Sequence, residues 1–389
     1  TDRSEWKSSS RIHHASRHGV QLRGNDGPKA TAQPKLTHYP LDSIVPIGSE
    51  SIRKLDKLEE EMRVLVLGAT GFLGANVIRA LLEKRYDVRA FHRPNSVTLG
   101  IDGLPGETAL GDFDDRDSLL KAMQGCEAVI HAGAYYPTGP IPVNRAIQRG
   151  VSQLRSVMES ALQSGVHRLV YGSSLTTIGP PTHGDLADER CSFQTRYSRN
   201  PYLMSKAAME EEVRQYVQHR KLPAVIAVPT VLIGPYDVKP SSGKQILLIA
   251  KRRLPFYIEG KMNLVDVRDV ARGMVDLLER GRIGERYILG GVNTTGKEFN
   301  RQVARQAGVR PPLLPMPFFI SHWGSKAGDI LFAKLLRRDP PVPGFFVEVL
   351  REMHHYDITK ARKELGYKPG PIEPAIRDAL QWFRTHHYL

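Results

Sequence analysis

Met62-Arg-Val-Leu-Val-Leu-Gly68-Ala-Thr-Gly71-Phe-Leu-Gly74 constrains this 389-residue chain more than any other stretch. A short apolar run ends in three glycines spaced three apart, and an amphipathic helical pattern follows. Such a strand, tight turn and helix start place a dinucleotide pyrophosphate on backbone N–H groups at the helix N-terminus. Glycine permits the turn and lets phosphates come close to the backbone. A glycine triplet alone is weak evidence, but its position between a strand and a helix supplies the required context.

From Met62 onward, strand and helix patterns alternate. Strands are expected at 63–67, 87–92, 107–111, 127–132, 167–173 and 224–229. Helices are expected at 71–84, 115–124, about 145–164 and 201–219. This alternation predicts an α/β fold, a Rossmann-type doubly wound parallel sheet covered on both faces. Runs such as Ala128-Val-Ile and Ala224-Val-Ile-Ala-Val suit strands buried on both sides.

After Pro229 the rhythm changes to a smaller, mixed α/β C-terminal domain. A helix is expected at 269–280, a strand from Arg286 and a helix at 374–386. The expected organisation is a basic, irregular extension over 1–61, a dinucleotide-binding domain over 62–235 to which 264–282 returns, and a substrate domain over 236–389. The extension is rich in Ser, His, Arg, Gly and Pro, a composition that buries too little apolar surface to fold alone. It opens on Thr1 and suits either a disordered tail or the remnant of an organelle-targeting segment.

Hydrophobic content of 41% and charged content of 25% are ordinary for a globular protein. No apolar run is long enough to span a bilayer, so a soluble protein of the cytoplasm or mitochondrial matrix is expected. The net charge of +14 suits anionic ligands, but no nucleic-acid motif accompanies it and no nucleic-acid partner is expected. The two cysteines, Cys126 and Cys191, lack metal-ligand company and cannot build a disulfide framework. No metal is expected. The apolar segment 318–336 reads as a core helix, with a hydrophobic substrate or peripheral membrane contact as the alternative.

Three further residues carry chemistry. Ser174 follows the strand ending in Gly172-Ser, and Tyr202 and Lys206 lie on the next helix pattern. A spacing of four puts Tyr202 and Lys206 on one helix face. An ammonium beside a phenol favours phenolate, which would lower the tyrosine pKa and equip the pair for proton transfer. A serine hydroxyl at the strand end can bond the same substrate oxygen. The second strand ends in His92-Arg93 with no acidic residue. An acidic side chain there would bind the ribose hydroxyls of NAD, whereas the Arg93 guanidinium suits the 2′-phosphate of NADP.

Together these features resemble the extended short-chain dehydrogenases/reductases, the NAD(P)-dependent epimerase/dehydratase superfamily, from Met62 almost to the C-terminus. Besides the glycine turn and Tyr202-Leu-Met-Ser-Lys206, the marks are Gly111-Asp-Phe-Asp-Asp, His131-Ala-Gly-Ala, Gly172-Ser-Ser-Leu-Thr-Thr-Ile-Gly, Val228-Pro-Thr-Val-Leu-Ile-Gly-Pro and Asn263-Leu-Val-Asp-Val-Arg-Asp-Val-Ala. Asp237-Val-Lys-Pro, Gly284-Glu-Arg-Tyr-Ile-Leu-Gly-Gly and Lys360-Ala-Arg-Lys-Glu-Leu-Gly-Tyr add a nearer similarity to hopanoid-associated sugar epimerases and dihydroflavonol-reductase-like proteins.

The resemblance implies that Tyr202 is the general acid/base, Lys206 holds the nicotinamide ribose and Ser174 binds the reacting oxygen. It assigns Gly68, Thr70, Gly71, Phe72, Leu73 and Gly74 to the cofactor's pyrophosphate turn. Asp112 and Phe113 would flank the adenine, Ala132 and Ala134 the middle of the cofactor, and Pro229 and Thr230 the nicotinamide. Gly150 stands where the family often has an asparagine that organises the site, and Pro137-Thr-Gly-Pro-Ile-Pro is an unusual pocket wall.

The implied activity is that of an oxidoreductase or epimerase. It would transfer hydride at a carbonyl/alcohol carbon of a sugar nucleotide or a hydrophobic alcohol or ketone. The alternative is a cofactor-binding accessory subunit of a larger assembly, such as a mitochondrial respiratory complex. A homodimer is a family expectation.

Overall fold

The structure, a computed structural model, describes residues 62–133, 135–137, 141–194, 199–318, 320–321, 323–324 and 344–389. The expectations for 1–61, for Ala134, for residues 138–140 of the proline-rich wall and for most of 318–336 lie outside the described residues.

The main elements follow in chain order: β1 (Arg63–Leu67), α1 (Phe72–Glu83), β2 (Asp87–His92), β3 (Glu107–Leu110), α2 (Arg116–Met123), β4 (Ala128–His131), α3 (Val143–Gln163), β5 (Arg168–Gly172), α4 (Pro201–Arg220), β6 (Ala224–Pro229), α5 (Val267–Arg280) and β7 (Arg286–Leu289). The seven strands form one sheet in the order β7-β6-β5-β4-β1-β2-β3, every pairing parallel. Helix α1 packs against α5, while α2, α3 and α4 pack side by side in a second layer. Strand order reverses its direction of growth at β1 and β4. In open parallel sheets, such a reversal is where ligands bind, beyond the carboxyl ends of the strands.

Each element has a local cause. Val64 to Leu67 and Ala224 to Val228 are fully buried, as strands covered on both faces require. Edge strand β3 is the exception, with Leu110 55% exposed. Helix α4 starts where Asn200 Oδ1 accepts the backbone N–H of Tyr202 and Leu203, both at 3.1 Å, with Pro201 in the first turn. Asp266 caps α5 by accepting from Arg268 N, three residues before the expected start at 269.

One boundary needs correction. The return to the main sheet does not stop at 282 but runs on to Leu289, because β7 pairs with β6 as the outermost strand. Tyr287, Ile288 and Leu289 are fully buried there. Short pairings make up the remainder: 231–233 with 261–266 and 292–295, 256–257 with 314–315, and 186–187 with 355–356. Among the described residues, no helix is long and apolar enough to cross a membrane.

Candidate active site

The glycine turn sits where β1 meets α1. Gly68 has a φ of +81°, and a Cβ there would lie 2.5 Å from the Gly133 backbone. A Cβ on Gly74 would lie 2.1 Å from the Gly68 carbonyl oxygen. These two positions therefore require glycine, one for the left-handed turn and one for close packing of helix on strand. Gly71 is the exposed N-cap of α1, no side chain caps that helix, and its first turn carries no acidic residue. The helix N-terminus thus offers backbone N–H groups and a positive dipole end without a competing carboxylate. These residues fit a dinucleotide pyrophosphate.

The neighbouring strand ends carry the other expected cofactor residues. Ala132 and Gly133 both donate their N–H to the Leu67 carbonyl, at 2.9 and 3.0 Å. The Phe113 ring lies beside Gly133 and stands in a row with the buried rings of Phe91, His131 and Tyr171. Asp112 leads into the loop after β3 and accepts the Asp114 N–H. Thr230 is buried after β6, with its hydroxyl bonded to Asn263 Oδ1 at 2.8 Å, so that hydroxyl is already engaged within the protein.

Beyond β2 the two arginines divide their work. Arg89 is buried, pairs with Glu107 at 2.8 Å and donates to the carbonyls of Ala122 and Gln124. Arg93 is exposed just past the strand end, and among the described residues it pairs with no carboxylate.

Ser174, Tyr202 and Lys206 come together at the C-terminal ends of β5 and β6. The Ser174 and Tyr202 hydroxyl oxygens are 3.5 Å apart. Thr176 donates both its N–H, at 3.3 Å, and its hydroxyl, at 2.9 Å, to Ser174 Oγ. The serine proton is therefore left for Tyr202 or a substrate oxygen. Lys206 Nζ lies 5.9 Å from the Tyr202 ring centre, and this lysine is only 5% exposed. The Tyr136 ring packs against Tyr202 with centroids 5.1 Å apart, and Tyr136 is 49% exposed.

The expected direction of the tyrosine pKa is reversed. Burial pushes the Tyr202 phenol above its ordinary value, and the bond to Ser174 only partly opposes this. Burial also lowers the Lys206 pKa to about 8. Desolvation penalises both charged forms, phenolate and ammonium alike, and sets the direction of both shifts. His131 is lowered to about 4, first by burial and then by the nearby Lys206 charge.

Several residues around this site are not among those the sequence singled out. They are Thr176, Tyr136, and a buried carboxylate, Glu210, which touches Ser173 and Thr177. Glu210 lies four residues beyond Lys206, so the Tyr202–Lys206 spacing extended by one turn points to it. Gly150 is buried in α3, where a Cβ would meet Met209 Sδ at 2.9 Å and Tyr135 at 3.4 Å. Its neighbours already fill the space of a larger side chain. Among the described residues, no group of three or more His, Cys, Asp or Glu could hold a metal ion, and Cys126 and Cys191 are buried and free.

A doubly wound parallel sheet with a glycine turn and a Ser-Tyr-Lys cluster across the crevice defines a class of nucleotide-dependent oxidoreductases. The family model described as "NAD dependent epimerase/dehydratase family" matches residues 64–290. A putative dihydroflavonol 4-reductase of Synechocystis is 34% identical over 83% of this chain and 95% of its own length. Sterol demethylase protein B of Methylococcus capsulatus is 31% identical over 83% of this chain and 98% of its own. The crystal structure of a nucleoside-diphosphate-sugar epimerase from Pseudomonas aeruginosa superposes with a TM-score of 0.72 at 27% identity, covering 84% of this chain and 99% of that one. The chain belongs to the NAD dependent epimerase/dehydratase family and is an NAD(P)-dependent reductase or epimerase.

Proposed function

We propose that this protein is an NADP-dependent reductase of a ketone or aldehyde on an apolar, ring-bearing substrate. The observation that carries the reading is the 3.5 Å approach of the Ser174 and Tyr202 hydroxyls, with buried Lys206 on the same helix face. Gly68, Gly71, Gly74 and the α1 N-terminus would hold the pyrophosphate, and Arg93 the 2′-phosphate. When bound, the reduced nicotinamide supplies the hydride that goes to the carbonyl carbon.

The side chains manage the oxygen. Ser174 donates a hydrogen bond to the carbonyl oxygen and orients it towards Tyr202. Tyr202 gives its proton to that oxygen as negative charge develops there, which completes the alcohol. A phenol whose pKa is raised by burial stays protonated at neutral pH, and that supports the acid role and the reductive direction. Lys206, with its pKa lowered by burial to about 8, is still mostly protonated at neutral pH and keeps a positive charge within reach of the resulting phenolate.

The exposed Tyr136 ring beside Tyr202 supports an apolar ring as the substrate's body. The relatives named for dihydroflavonol and sterol chemistry point the same way. The test is single-turnover oxidation of NADPH with a panel of aromatic and alicyclic ketones and a nucleotide-sugar, using wild type and Tyr202→Phe. Reduction of the ring ketones by wild type and its loss in the variant are expected. Turnover of the nucleotide-sugar alone, or equal rates in the two proteins, would overturn the reading.

A further inference from the structure

Tyr202, Lys206 and Glu210 are spaced four apart on α4 and share one face of the helix. Lys206 and Glu210 are both buried, 5% and 3% exposed. Its Oε2 accepts from Ser173 Oγ and from Thr177 Oγ1, each at 2.5 Å. Those hydroxyls bracket Ser174, one residue before it and three after. The segment between them is a single 3-10 turn, Leu175–Thr177, capped by Ser174 itself.

The other carboxylate oxygen is held from the sheet. Arg286, on β7 and 8% exposed, places Nη1 3.0 Å from Glu210 Oε1. The same guanidinium donates to the carbonyls of Glu189, at 2.6 Å, and Cys191, at 2.9 Å, in the segment before α4. Arg214, one turn further along α4, reaches the same Oε1 at 3.1 Å. One carboxylate therefore ties three things together: the helix bearing Tyr202, the turn bearing Ser174, and an outer strand of the sheet.

A buried ion pair gives little net stability over an apolar pair of the same size. A carboxylate that accepts from two hydroxyls and two guanidiniums does fix relative positions, since each bond is short and directional. We propose that Glu210, anchored by Arg286, is a positioning residue that sets the approach of Ser174 to Tyr202 and so governs proton transfer. The proposal rests on the reading that Ser174 and Tyr202 carry out that transfer.

Glu210→Gln keeps the volume and an acceptor but turns an amide towards Arg286. Its expected effect is a fall in kcat of about tenfold with the substrate KM little changed. Affinity for NADPH, read by nucleotide fluorescence, should stay within about twofold of wild type, and amide exchange in the 173–179 segment should speed up while β1 stays protected. In a Ser174→Ala background the added Gln should cost less than about twofold, because its effect acts through Ser174.

An equal cost in both backgrounds, an unchanged rate, or faster exchange throughout the sheet would overturn the proposal. Should Glu210→Gln not fold, Thr177→Val removes one hydroxyl of the same network and submits to the same two-background comparison. If Ser174→Ala itself leaves the rate unchanged, the catalytic reading falls and this proposal with it. If Ser174→Ala lowers the rate but Glu210→Gln costs the same in both backgrounds, only the positioning role falls.

Discussion

Ser174 and Tyr202 face each other across the junction of β5 and α4, their hydroxyl oxygens 3.5 Å apart. The separation is long for an O–H···O bond and leaves room for a third oxygen to be held by both. Tyr202→Phe removes only the proton donor and is expected to lower kcat by about 10²- to 10⁴-fold. Ser174→Ala is expected to cost about 10²-fold. Single-turnover rates check both, and NADPH affinity within about threefold of wild type would separate chemistry from binding.

Arg93 stands exposed beyond β2 with no carboxylate partner among the described residues, while Arg89 four residues earlier is consumed by Glu107 and two carbonyls. Arg93→Ala is expected to weaken NADPH binding by about tenfold, the worth of one charge-assisted contact to phosphate. NADH binding should change by less than about twofold, since that nucleotide lacks the 2′-phosphate. Fluorescence titration with the two nucleotides measures the ratio directly.

Gly74 admits no side chain, because a Cβ would sit 2.1 Å from the Gly68 carbonyl oxygen. Gly74→Ala must therefore push α1 away from β1. A loss of about 1–3 kcal/mol in urea unfolding is expected, the usual range for overpacking. Nucleotide affinity should fall as well, since the same displacement moves the helix N-terminus. Gly103→Ala offers a contrast: Gly103, unlike Gly74, has a positive φ (+74°), but nothing lies within 4 Å of its Cβ, so only backbone strain should register.

His131 is fully buried, and its folded-state pKa of about 4 lies below the ordinary 6.5. The unfolded chain therefore binds this proton more tightly than the folded one, and stability must fall as pH drops from 6.5 towards 4. Between pH 7 and pH 5 the histidine should account for a loss of about 2 kcal/mol. His131→Phe, which keeps a ring between Phe113 and Tyr171, should lose correspondingly less over that interval. Urea midpoints at the two pH values decide it; parallel losses would show that His131 is not the titrating group.

Much of this molecule is legible in local pattern. The Gly68-x-x-Gly71-x-x-Gly74 turn, the buried runs of β1 and β6, and the placing of Tyr202 and Lys206 on one face each follow from residues within a turn or a strand of one another. Short-range sterics and the 3.6-residue helical repeat decide such features, and the sequence displays both. What it could not display are effects that depend on burial and on distant partners. The ammonium of Lys206 was expected to lower the phenol pKa of Tyr202, yet enclosure by the fold raises it. Arg286 looks like part of a second domain until β7 pairs with β6 and brings it 3.0 Å from Glu210, 76 residues away in the chain. The sequence alone determined which residues could bind a dinucleotide and move a proton. Only the tertiary structure decided their charge states and the distances between them, because desolvation and long-range ion pairing exist only once the chain is folded.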